Sequence, residues 1–165
     1  MRYAQIRKID ISNGTGIRTS LFVQGCRRMC KGCFNPETWD FNGGLEWDEH
    51  SEEQFLTLTG GEHITGATIL GGEPMEPENR ETVKEVIKKL KQRYPEKTTW
   101  MYSSYLYAEI MDFDPEVLRY LDVLVDGPFV EEQKDLNLRF RGSKNQRVID
   151  VQASLKNGDV VLLDF

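Results

Sequence analysis

The hydrophobic positions of the chain fall into short runs set around one long periodic segment. Thr19–Gln24 combines β-branched and aromatic residues and predicts a strand, broken by Gly25. Ala67–Leu70 predicts a short buried strand, cut off by Gly71-Gly72. Thr98–Tyr102 predicts a third core strand and Leu121–Val125 a fourth. Between them Val83, Val86, Ile87, Leu90 and Tyr94 recur at helical spacing, so a helix is expected from about Pro77 to Tyr94. Glu85 and Lys89 would pair on its solvent side, and Pro95 would end it. Ser51 with Gln54 three residues on reads as a capping box. The helix it would open has a weak apolar face of Phe55, Leu56 and Leu58. Pro115–Tyr120 predicts a short helix with proline in its first turn. The tail, Arg147–Gln152 and Asp159–Leu163, reads as a hairpin around the turn-forming pair Asn157-Gly158.

Strand and helix therefore alternate through the middle of the chain, which predicts an α/β fold with a parallel sheet and crossover helices. With 165 residues the chain is too short for an eight-fold barrel, which takes about 250. The expectation is an open, partial (β/α) barrel: a mainly parallel sheet with a C-terminal hairpin extension. No repeat, low-complexity run or linker divides it, so residues 1–165 are read as one domain. Ligands of such sheets bind at the carboxyl ends of the strands. The segment after Gly25, Gly71-Gly72, Ser103-Ser104 and Asp126 all fall at predicted strand ends and would share one rim.

Composition removes several classes. Hydrophobic residues at 39% and charged residues at 29% suit a packed core rather than a disordered chain. A net charge of −6 argues against a general nucleic-acid binder. No apolar run approaches the ~20 residues of a membrane span. Met1–Ile6 lacks the apolar stretch of a signal peptide, so a cytoplasmic location is expected.

The chemistry concentrates in Cys26, Cys30 and Cys33, the three cysteines of the chain. Three thiols this close make a poor disulfide framework, and in a cytosolic chain they point to metal. Iron–sulfur clusters usually take four thiolates, so three on a four-iron cluster leave one iron open to a small molecule. Arg27, Arg28 and Lys31 lie among the cysteines and favour thiolates and an anionic cluster. The alternative is a zinc-binding interaction module that completes a Cys3His set with His50 or His63.

The pattern Cys26-x-x-x-Cys30-x-x-Cys33 after a strand resembles the cluster loop of the radical S-adenosylmethionine enzymes. Gly71-Gly72-Glu73-Pro74 is similar to their second motif. Asn13-Gly14-Thr15-Gly16-Ile17-Arg18, Leu21–Cys26 and Cys30–Asn35 resemble the opening of the glycyl-radical-enzyme activases. Asp126-Gly127-Pro128-Phe129 and Arg141-Gly142-Ser143-x-Asn145-Gln146-Arg147 resemble the C-terminal segments of one branch, the activating proteins of anaerobic ribonucleoside-triphosphate reductase. The resemblance runs from about Tyr3 to Asp150 and implies an enzyme, a radical-SAM oxidoreductase. A [4Fe-4S] cluster on Cys26, Cys30 and Cys33 would reductively cleave S-adenosylmethionine. The radical formed would take hydrogen from a backbone glycine of the reductase's large subunit.

The resemblance also implies that Gly32, Cys33, Phe34, Gly71, Gly72, Glu73, Ser103 and Asp126 bind the cofactor, with no catalytic side chain beyond cluster and cofactor. It implies a low-potential electron donor such as flavodoxin or ferredoxin, and neither nucleic acid nor membrane as partner. Where relatives often carry threonine-glycine after the third strand, this chain has Ser103-Ser104, which keeps a hydroxyl for the cofactor. Arg139, Arg141 and Arg147 form a basic stretch in an acidic chain and are read as a docking site for the partner. An activase of another glycyl radical enzyme, or a small radical enzyme such as a deazaguanine synthase, is the neighbouring reading. The C-terminal segments weigh against it.

Overall fold

The computed structural model describes residues 1–165. Seven strands form one open sheet: β1 (Arg2–Asp10), β2 (Arg18–Val23), β3 (Leu45–Glu46), β4 (Gly66–Gly71), β5 (Thr98–Ser103), β6 (Val123–Asp126) and β7 (Arg147–Asp150). Their spatial order is β3-β1-β2-β4-β5-β6-β7. The central four, β2, β4, β5 and β6, run parallel, while β1, β3 and β7 pair antiparallel at the flanks. The five helices are α1 (Glu49–Thr59), α2 (Pro77–Arg93), α3 (Tyr107–Phe113), α4 (Pro115–Leu118) and α5 (Val151–Asn157). None is long and apolar enough to cross a membrane.

Side chains alternate across a strand, and here the alternation sorts two layers. Leu21, Val23, Ile69, Met101, Leu124 and Ile149 pack with Phe55, Val83, Ile87, Leu90, Ile110 and Leu118 from the helices. The residues in between point the other way. Trp100, Val123, Val125 and Val148 form a smaller cluster on the opposite face, joined by Tyr102, Phe140 and Leu163. Instead of helices, that second face carries the segment 127–146, which leaves β6 and returns to β7.

All four predicted strands are present within two residues. So is the long helix, whose Val83, Val86, Ile87 and Leu90 are buried as the spacing requires. Three expectations need correction. Asp48, not Ser51, caps α1: its carboxylate accepts from Ser51 N and Ser51 Oγ, both at 2.8 Å. Lys89 pairs with Glu52 of α1 rather than with Glu85, because the neighbouring helix offers a carboxylate at 2.5 Å. The tail is not a hairpin around Asn157-Gly158: α5 fills the interval, and Gly158 ends that helix at φ +74°. The last strip still returns antiparallel to β7, with Leu163 N donating to Val148 O at 2.8 Å and Leu162 bridging Ile149.

Candidate functional site

A cavity of about 450 Å3 opens on the face of the sheet without helices. The end of β2 leads into the cysteine loop, whose base is held by backbone bonds. Gly25 N donates to Thr38 O at 2.7 Å and Cys26 N to Trp39 O at 3.1 Å. Glu73 N donates to Gly25 O at 2.8 Å, and Gly72 N to Val23 O at 2.8 Å. Gly71 and Gly72 allow this contact. A Cβ on Gly72 would stand 2.6 Å from Gly25 O, and one on Gly71, at φ +107°, 2.7 Å from Val23 N. The paired glycines thus join β4 to the root of the cysteine loop.

Cys26, Cys30 and Cys33 all line the cavity, and all three are free thiols. The loop turns tightly, with Cys33 N donating to Cys30 O at 3.0 Å. Met29 is left-handed at φ +44°, a conformation that non-glycine residues rarely adopt. Burial pushes the Cys26 thiol up, and the nearby charges of Glu73 and Glu76 add to it. The backbone N–H groups of Met29 and Arg28, turned toward the sulfur, oppose the rise. Asn35 N donates to Cys33 Sγ at 3.4 Å.

Two arginines tie the loop to its neighbours, Arg27 to the start of α2 and Arg28 to the residue after β5. Arg27 bonds Glu76 at 2.7 Å and also reaches Glu78, while lying 4.5 Å over the Phe41 ring. Arg28 donates to Ser104 Oγ at 3.2 Å.

Glu73 is buried, at 2% exposure, and accepts four hydrogen bonds. Ser104 N and Ser104 Oγ reach one oxygen at 2.6 and 2.7 Å. Met75 N and Ser103 Oγ reach the other, both at 2.8 Å. Burial pushes its carboxyl up against the pull of these donors. A carboxylate has about four lone-pair sites, so Glu73 has no open acceptor position left for a ligand. Ser103, the serine expected at the site, lines the cavity beside it, its hydroxyl donating to Glu73 and accepting from Tyr105 N.

The structure brings the cysteines, Phe34, Gly71, Gly72, Glu73 and Ser103 to one cavity. It does not bring Gly32 or Asp126 to its wall. Gly32, at φ +78°, faces the side chain of Glu131. Asp126 is fully buried behind the rim, where it accepts from Arg147 Nε at 2.9 Å and Tyr107 N at 2.8 Å. That pairing also removes Arg147 from the free basic stretch. Arg141 lines the cavity and braces its own segment, donating to Lys144 O at 2.9 Å and Gln146 O at 2.7 Å. Arg139 extends over the Phe140 ring at 4.9 Å and holds no carboxylate.

His50 sits in the first turn of α1 and His63 in the turn before β4, so neither lines the cavity. No three His, Cys, Asp or Glu side chains converge as ligands of a single ion. The donor set that the cavity does offer is three soft thiols along one wall, with backbone N–H groups turned toward two of the sulfurs. That set fits an iron–sulfur cluster, which takes thiolates at separate irons.

Four features were not read from the sequence. Trp39 and Tyr102 line the cavity, and their ring N–H and hydroxyl are buried without a partner. Ser104 joins Arg28 to Glu73. Segment 127–146 roofs the cavity through Phe129, Leu138 and Phe140, and Phe129 lies 5.1 Å from the Phe34 ring. Aromatic residues in a strand or loop carry no signal that separates a cavity wall from a core.

The family model described as a 4Fe-4S single cluster domain matches residues 12–149. The chain is 39% identical over 148 residues to the anaerobic ribonucleoside-triphosphate reductase-activating protein of Vibrio cholerae, covering 88% of this chain and 96% of that one. It is 38% identical to the protein of the same name from Haemophilus influenzae, with the same coverage. To that of Escherichia coli it is 35% identical over 150 residues, covering 90% of this chain and 97% of the relative.

Proposed function

The chain belongs to the anaerobic ribonucleoside-triphosphate reductase-activating proteins, and from that membership we propose that it generates the glycyl radical of an anaerobic ribonucleotide reductase. The observation that carries the proposal is the single rim that holds Cys26, Cys30 and Cys33 together with Gly71, Gly72, Glu73 and Ser103. The whole chain acts as one radical-SAM domain, its open sheet the partial barrel of that class, and it works in the cytoplasm. A [4Fe-4S] cluster and S-adenosylmethionine, when bound, supply one-electron cleavage of the sulfonium to methionine and a 5′-deoxyadenosyl radical that takes a hydrogen atom from glycine.

Cys26, Cys30 and Cys33 hold three of the four irons and leave the fourth for the amino-acid end of S-adenosylmethionine. Gly71 and Gly72 set backbone, with no side chain between, against the root of the cysteine loop. Glu73 fixes Ser103 and Ser104 and so shapes the wall on which the cofactor lies. Phe34, Phe129 and Phe140 shield the cavity from water. No side chain needs to act as a base, because hydrogen leaves as an atom. Arg139, the one docking arginine whose guanidinium holds no hydrogen bond or carboxylate of its own protein, meets the large subunit of the reductase. The electron comes from a low-potential donor such as flavodoxin or ferredoxin.

Anaerobic reconstitution tests the chemistry. The protein should bind about four irons. With dithionite it should convert S-adenosylmethionine to equal amounts of methionine and 5′-deoxyadenosine. Cys30→Ala should abolish that conversion. A Cys30→Ala protein that cleaves at the original rate would refute the ligand assignment.

A further inference from the structure

The carboxyl-terminal rung of the inner face is set by strand register. Phe22 pairs with Leu70, and Tyr102 with Val125. Leu70 and Tyr102 stand one residue beyond the Ile69–Met101 pair. Four side chains from four parallel strands therefore form one layer, the floor of the cavity, and all four line it. Gly71, Ser103 and Asp126 each follow a residue of this layer in sequence, so the floor lies directly beneath the rim that holds the cofactor.

Three of the four floor residues are apolar, and the Tyr102 hydroxyl is its one hydrogen-bonding group. That hydroxyl is buried and has no partner. A buried donor left unpaired loses its hydration without a replacement bond. Burial and the charge of Asp10 push its phenol up, with Arg18 opposing, so it stays protonated and is a donor at neutral pH. The cavity also reaches Arg7 on β1 and Leu136 on the roofing segment.

We propose that Tyr102 positions the substrate: its hydroxyl donates a hydrogen bond to a backbone carbonyl of the glycine segment that the partner inserts beneath the cofactor. The proposal rests on the function given above and names a group that aims its substrate. A glycine segment has no side chain at the reacting residue, so its backbone is the only polar handle by which the α-carbon can be aimed. An apolar floor with one donor matches a chain segment presenting one carbonyl. The polar ends of S-adenosylmethionine are met at the rim instead.

Tyr102→Phe removes the hydroxyl and keeps the ring. Three measurements on the reconstituted holoenzyme with the reductase large subunit decide the matter. The thermal midpoint should stay level or rise, because the lost group bonds nothing in the protein. The affinity for S-adenosylmethionine, by anaerobic calorimetry, should stay within two-fold. Glycyl radicals formed per S-adenosylmethionine consumed should fall at least five-fold, with a higher half-saturating concentration of reductase. An unchanged radical ratio would overturn the proposal, since water then serves the hydroxyl. Affinity for S-adenosylmethionine falling in step with radical yield would assign the hydroxyl to the cofactor. A lowered midpoint would give it a partner within the fold. Wild-type protein that cleaves S-adenosylmethionine but never places a radical on the reductase would instead contradict the proposed function, apart from anything Tyr102 does.

Discussion

Glu73 shows how a charged residue can build a site without offering itself to the ligand. Both its oxygens are filled, by two backbone N–H groups and two hydroxyls from the ends of β4 and β5. Glu73→Gln replaces one acceptor oxygen by an NH2 donor, so at least one buried N–H then faces another donor. The expected loss is about 1–3 kcal/mol in urea unfolding. Its pH dependence has a fixed sign. The folded carboxyl is raised, so the native state holds the proton more tightly than the unfolded chain. The stability this gives the wild type is fully present below the usual glutamate range, about pH 4.3, and is lost as pH rises through the folded value. Glu73→Gln should lack that decline, so the gap between the two proteins should narrow as pH rises from about 4. A gap that widens would mean that the carboxyl is depressed instead. At this scale the cysteines were legible because metal ligation demands fixed residue types at fixed spacing. Tyr102 was not, since a tyrosine in a strand looks the same whether its hydroxyl is bonded, wet or waiting for a ligand.

At the scale of elements, segment 127–146 depends on how its two ends are closed. Asp126 and Arg147 are cross-strand partners where the segment leaves β6 and rejoins β7. Arg147 Nε and a second guanidinium nitrogen reach the two carboxylate oxygens at 2.9 and 2.6 Å. Arg147→Ala would leave a fully buried carboxylate with Tyr107 N as its remaining donor. The expected loss is about 3 kcal/mol, the low end for breaking a buried pair, because Arg147 itself is 37% exposed. Urea unfolding measures it, and adding Asp126→Asn should recover part of the loss. A change below about 0.5 kcal/mol would return Arg147 to the surface role that its charge suggests. Sequence reading could count the positive charges of this stretch but could not see the buried carboxylate that claims one of them. The tail failed for a related reason. Asn-Gly marks a left-handed residue, and hairpin turns and helix C-termini both use one. The strand β1 was invisible because only Tyr3 and Asp10 of its nine residues are buried, which leaves little hydrophobic pattern to read.

The whole molecule separates its two tasks by the faces of one sheet. Helices seal one face with the larger core, and the other is kept for a cavity whose rim carries the cysteines. That division was legible in outline. The parallel order of the central strands follows from their alternation with helices, and parallel strands bring their carboxyl ends, and whatever loops follow them, to one edge. What encloses the cavity was not legible, because segment 127–146 has neither helical nor strand periodicity and folds by fitting the residues beneath it. The central claim is that this rim makes a radical and delivers it to another protein. The most direct measurement is electron paramagnetic resonance of the reductase large subunit after anaerobic incubation with the reconstituted protein, S-adenosylmethionine and dithionite. The account predicts a glycyl radical, split into a doublet by its remaining α-hydrogen, that is absent when Cys30→Ala protein is used. Full conversion of S-adenosylmethionine to 5′-deoxyadenosine with no radical on the reductase, or a radical formed equally well by the Cys30→Ala protein, would contradict it.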